Sequence, residues 1–103
     1  MAVTAIHMRT REVTATLDEL NAASSSLPIK GENGGHDLSI VASVDFDGTC
    51  TYQCSFDSGV TWLDVQDFTT SVQTSAIVYS DQLVRFQLTE WTAGDVEVRI
   101  RKG

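Results

Sequence analysis

The segment CSFDSGVTW, residues 54–62, places a hydroxyl, a carboxylate, a glycine and a second hydroxyl at alternate positions, and an indole follows. Ser55 and Asp57 are suited to hydrogen bonding inside a tight turn, and Gly59 permits positive φ. Thr61 restarts the strand, and Trp62 covers the hairpin and the end of the core with a large apolar ring. Each residue therefore has a structural task, and none is required for catalysis.

Other groups are weighed in the same way. Asp45 and Asp47 in DFDG share a strand face, which suggests calcium. Calcium usually takes six or more oxygens, and the EF-hand pattern continues with further acids. Here the chain turns into a Thr/Cys stretch instead, so DFDG reads as a hairpin turn, with adventitious calcium at the loop as the alternative. Cys50 and Cys54 are the only cysteines. On one strand they would lie roughly 13 Å apart, against ~5.5 Å between the Cα atoms of a disulfide. Two buried, reduced thiols follow, consistent with a reducing compartment. Zinc would need more ligands than these cysteines and two histidines as distant as His7 and His36.

Trp62, Trp91, Tyr52 and Tyr79 could form a sugar-stacking platform. Tyr52 alternates with Cys50, Cys54 and Phe56, which assigns it to the core. Trp91 follows Glu90 at a strand end with polar-face parity, which marks it as a contact residue. No serine sits in G-x-S-x-G, no glycine loop resembles a phosphate cradle, and no paired carboxylates stand out. The expectation is a protein that is not an enzyme and needs no cofactor and no metal.

Seven basic residues against fourteen acidic ones give a net charge of −7. Residues 12–98 hold every acid but only Lys30 and Arg85 as cations. Such a body repels phosphate backbones, which argues against nucleic acid. The remaining cations, Arg9, Arg11, Arg99, Arg101 and Lys102, lie at the two ends. They serve either ordinary solubility or docking on an acidic neighbour. No apolar run approaches the ~20 residues of a membrane helix, and no signal-peptide pattern opens the chain, so synthesis in the cytoplasm and no membrane partner are expected.

The elements that must position these groups are strands. In HDLSIVASVDF, residues 36–46, Leu38, Ile40, Ala42, Val44 and Phe46 fall on one face. In GTCTYQCSF, residues 48–56, Cys50, Tyr52, Cys54 and Phe56 do the same. Asp47-Gly48 between them predicts a two-residue hairpin turn. QLVRFQLTEW and DVEVRIRKG repeat the alternation, joined by Ala93-Gly94-Asp95. Further strands are predicted over 71–79 and 24–30, and 10–17 is extended. DELNAASSSL, residues 18–27, is open between a helical turn and extended chain. Seven or eight short strands with turn signals between them predict an all-β domain, an antiparallel β-sandwich of jelly-roll type. It spans residues 12–103, behind an N-terminal arm, 1–11, that is a candidate docking segment.

Written as S-x-D-x-G-x-T-W, the opening segment resembles the Asp-box, a hairpin signature best known from sialidase propellers. A propeller needs four or more blades of roughly forty residues, and this chain has room for about two. In sialidases, too, such boxes resemble scaffold rather than active site. A broader resemblance takes in ASSSLPIKG, HDLSIVASVDF, GTCTYQCSFDSGVTWLDV, QLVRFQLTEWTAG and DVEVRIRKG, in that order. Together they resemble the small β-sandwich accessory proteins of tailed-bacteriophage virions, in which an S-x-D-G-x-T-W hairpin and a V-R-x-x-x-T strand recur. Ser58 stands where such proteins often have glycine.

The resemblance implies a capsid decoration or cement protein on the outer surface of the virion, a homotrimer bound to the major capsid protein. A glycan-binding adhesin domain of a head or tail fibre, reading sugar through Trp91 or Tyr79, is the alternative.

Overall fold

The computed structural model describes residues 12–29, 34–78 and 80–102. They form eight strands: β1 (Glu12–Leu17), β2 (Leu27–Ile29), β3 (Gly34–Ala42), β4 (Asp47–Ser55), β5 (Leu63–Phe68), β6 (Val72–Val78), β7 (Gln82–Ala93) and β8 (Val96–Lys102). Two four-stranded antiparallel sheets result, in the orders β1-β8-β3-β6 and β2-β7-β4-β5. Each step from β1 to β4, and again from β5 to β8, crosses from one sheet to the other. This is the jelly-roll arrangement of a β-sandwich.

Period-two alternation builds the core. Leu38 and Ile40 on β3 face Val84, Phe86 and Leu88 on β7, with Val96, Val98 and Ile100 on β8 and Cys50, Tyr52 and Cys54 on β4, all buried in one cluster. Tyr52 and Phe68 both set tilted or edge-on rings against Phe86, an arrangement that adds to the burial of apolar area. His36 is also buried, and its Nε2 hydrogen-bonds the Tyr52 hydroxyl between the sheets.

The topology corrects one expected hairpin. β3 and β4 do not pair: β3 lies between β8 and β6, and β4 between β7 and β5. The connection turns at residues 43–46, where the Phe46 N–H donates to the Ser43 carbonyl at 3.1 Å. Asp47 and Gly48 belong to β4 instead. An apolar face looks the same in sequence whether the next strand lies beside it or across the core from it. Gly48 is needed for close approach, since a Cβ there would lie 2.3 Å from the Glu90 carbonyl oxygen.

The Ala93-Gly94-Asp95 connection likewise crosses between sheets, with Gly94 at φ 81°. The two crossings are tied together: the Ser43 N–H donates to the Asp95 carbonyl at 2.9 Å, and the Asp95 N–H donates to Ser43 Oγ at 3.0 Å. The Ser43 hydroxyl in turn donates to Asp45 Oδ1 at 2.8 Å, so the DFDG carboxylate at 45 serves this corner.

The open segment 18–27 takes no helix. It makes a turn with Asn21 at φ 68°, and Ala22 and Ser24 then bond to the backbone of β7. Of the expected strand over 24–30, the described residues are regular only across Leu27–Ile29. The proposed arm, 1–11, lies outside the described residues.

Candidate functional site

The box closes the β4–β5 hairpin, as its residue types require. The Ser55 hydroxyl donates to Asp57 Oδ1 at 2.7 Å and accepts the Gly59 N–H at 2.9 Å. Asp57 Oδ1 also accepts the Thr61 N–H at 2.8 Å. Ser58 and Gly59 both take positive φ, 63° and 91°, which is the strain that a glycine at 58 would relieve. The Thr61 N–H, then the Ser55 hydroxyl, lower the Asp57 carboxyl from 3.8 to about 2, because hydrogen bonds to the charged form favour it.

Trp62 does not seal the core. It is half-buried and lies over the outer face of β7, with the Arg85 guanidinium 4.1 Å from its ring centroid. A Cβ on Gly59 would sit 3.6 Å from Trp62 Cζ2 and 3.8 Å from Leu83 Cδ1, so the box backbone nests against the same ring. The box therefore folds its tryptophan back onto the outside of the sheet.

A polar network spreads from there across β7, β4 and β5. Arg85 Nε donates to Gln53 Oε1 at 2.8 Å. Gln53 Nε2 donates to Asp64 Oδ1 at 2.9 Å and to Gln87 Oε1 at 3.0 Å. One rung further, the Thr51 hydroxyl donates to Asp67 Oδ1 at 2.8 Å, which leaves Thr89 as donor in the 2.8 Å contact between the two threonine hydroxyls. Thr49 then donates to Glu90 Oε1 at 2.7 Å. Although these residues point away from the core, Thr51, Gln53 and Ser55 are only 1%, 4% and 1% exposed. Their neighbours on the flanking strands and the folded-back box cover them. Burial lowers the Arg85 pKa.

Of the sequence-derived contact residues, Trp91 is not the exposed platform its parity predicted. It is half-buried, packs on the core, and donates its Nε1–H to the Gly94 carbonyl at 2.9 Å. The cause is a bulge: Cys50 pairs with Leu88 but Thr49 with Glu90, so the alternation of β7 slips by one residue at Thr89.

Arg99 and Arg101 stand on the outer face of the other sheet, but among acids. Arg99 Nε is 3.1 Å from Glu12 Oε2, and Arg101 lies opposite Glu12 on β1 and Asp37 on β3. Lys102 has core-side parity and is half-buried, opposite His36. Arg9, Arg11, His7 and Tyr79 lie outside the described residues. Cys50 and Cys54 are buried free thiols on the inner face of β4. Burial pushes Cys50 up to about 12 and raises Cys54 as well.

Sequence reasoning passed over Gln53, Asp64, Arg85 and Gln87. The available signal was Arg85, one of two cations in an acidic body and on outward parity in LVRFQ.

Set beside known proteins, the chain matches no family model and no curated protein. Among solved structures it is similar to a de novo designed double-stranded β-helix, at 14% identity and TM-score 0.47. That similarity covers 90% of this chain and 99% of the other.

Proposed function

We propose that this chain is a non-enzymatic structural protein of a tailed-phage virion, a homotrimeric decoration protein on the outer capsid that braces neighbouring capsomers. The observation that carries this reading is an exposed apolar run on the box hairpin and β5. Phe56, Val60, Leu63 and Val65 are 59%, 83%, 50% and 54% exposed within ten residues of chain. Exposed apolar groups gathered on one element mark a protein contact. β5 is an edge strand, yet the register slip opposite Tyr52/Gln53 and the charges of Asp64 and Asp67 discourage addition of a further strand. The contact is then made by side chains. Capsid binding stabilises the assembled shell by mass action.

Arg99 of β8 is already paired with Glu12, and Arg101 lies opposite Glu12 and Asp37, which moves the weight of docking from charge to this apolar rim. Imaging of purified virions with and without the protein tests the assignment. Full occupancy by a Phe56→Ser/Val60→Ser double variant, folded and trimeric by light scattering, would sink it.

A second reading, a glycan-binding domain, is favoured by one observation: the Trp62–Arg85 stack beside a hydrogen-bonding sheet face. It relocates the sugar contact from Trp91 and Tyr79 to that face.

A further inference from the structure

The outer face of β7, β4 and β5 holds a guanidinium whose charge no described residue matches. Among the described residues, Arg85 bonds only through Nε, to Gln53, and no carboxylate lies within ion-pair distance of it. Its terminal nitrogens, the fork that grips a carboxylate, are uncommitted. Two contacts hold the group in place from behind: the Trp62 ring at 4.1 Å and the Gln53 amide at 2.8 Å. Gln53 has no freedom of its own, since both of its amide hydrogens are spent on Asp64 and Gln87. A half-buried cation held this rigidly, in a chain of net charge −7, is costly unless something else uses it.

We propose that this face binds an acidic sugar, a uronate or sialate residue, with its carboxylate on the Arg85 fork and its hydroxyls along the row toward β5. The row runs Arg85, Gln53, Asp64, and spans two strand spacings, roughly 10 Å. Asp64 and Asp67 each use Oδ1 within the protein, and their Oδ2 atoms are available to accept sugar hydroxyls. The exposed edges of Trp62 and Leu83 offer the apolar surface on which a pyranose ring rests. An acidic peptide would satisfy Arg85 but would set further carboxylates against Asp64, Asp67 and Glu90. A sugar acid carries one anion and several hydroxyl donors, which matches a face with one cation and several acceptors. This deepens the glycan-binding reading and stands apart from capsid attachment, which rests on Phe56 and Val60.

The test is calorimetric titration of the full chain with a methyl galacturonoside and with 3′-sialyllactose, one carboxylate each, beside their methyl esters. Saturable binding of at least one free acid, weakened ~10-fold or more in its ester and in Arg85→Gln, is the expected result. The ester arm needs no variant and so is independent of folding. Trp62→Phe, folded by thermal melt, should weaken binding less than Arg85→Gln. Absence of saturable binding, or equal affinity for acid and ester, overturns the proposal. Tighter binding of a poly-glutamate peptide than of either sugar acid overturns it in favour of a protein ligand. Virion occupancy of Arg85→Gln, measured in parallel, reports on the decoration reading alone.

Discussion

Replacing Ser55 with alanine isolates what the box does. Ser55 is 1% exposed, and its hydroxyl makes two short bonds, one to the Asp57 carboxylate and one from the Gly59 N–H. A net side-chain hydrogen bond contributes about 1 kcal/mol, and a half-buried N–H left unpaired adds a similar cost, for a total of about 2 kcal/mol. In a domain of about 100 residues each kcal/mol shifts Tm by roughly 4–8 °C, so Ser55→Ala should melt roughly 8–16 °C lower.

A second signature is specific to the geometry. Asp57 titrates at about 2 in the folded chain against an ordinary 3.8. A folded pKa below the unfolded one means that its stabilisation is complete above 3.8 and is lost as pH falls toward 2. The Ser55 hydroxyl is part of the cause, so in Ser55→Ala the acid limb of Tm against pH should still begin near the unfolded value but be shallower and level off at higher pH. In Asp57→Asn that limb should flatten between pH 4 and 2, since asparagine does not titrate. Calorimetry across pH 2–7, with a carboxyl titration by NMR, measures both. If Ser55→Ala melts within ~2 °C of the parent and Asp57 still titrates near 2, the box is not the staple of this hairpin.

Gly48→Ala drives a Cβ to 2.3 Å from a backbone oxygen, and should cost about 2–3 kcal/mol in chemical denaturation; a neutral result would show that the β4–β7 approach is looser than described. Phe86 is fully buried against Tyr52 and Phe68, so Phe86→Ala should lose about 3–5 kcal/mol. Cys50, raised to about 12, should resist a thiol-disulfide reagent at pH 8 in the native state and react freely in denaturant. Native labelling of Cys50 at the rate of a free thiol would contradict its burial. Trp91→Phe should lower stability through loss of the bond to Gly94 and leave sugar-acid binding unchanged; a loss of binding would put the ligand on the wrong tryptophan.

Much of this was legible in the chain itself. Alternation placed Leu38, Ile40, Cys50, Tyr52, Val84, Phe86, Val96 and Ile100 inside, and all are buried, whereas Val44 and Phe56, placed on the same faces, lie beyond the ends of β3 and β4 and are exposed. The box declared its own hairpin, because its hydrogen bonds span only a few residues. These are local properties: side-chain direction repeats every two residues, and a tight turn is built from its own side chains.

Tertiary structure alone decided the rest. Alternation states which face is apolar but not which strand lies alongside, so β3 and β4 read as a hairpin when they lie in opposite sheets. A bulge at Thr89 depends on partner strands, and it turned Trp91 from the polar face toward the core. Trp62 met Arg85, 23 positions away in the sequence, only because β4 and β7 are hydrogen-bonded neighbours while β5 folds back beside them. The unmatched charge that now marks the outer face is a property of that neighbourhood, and no spacing along the chain encodes it.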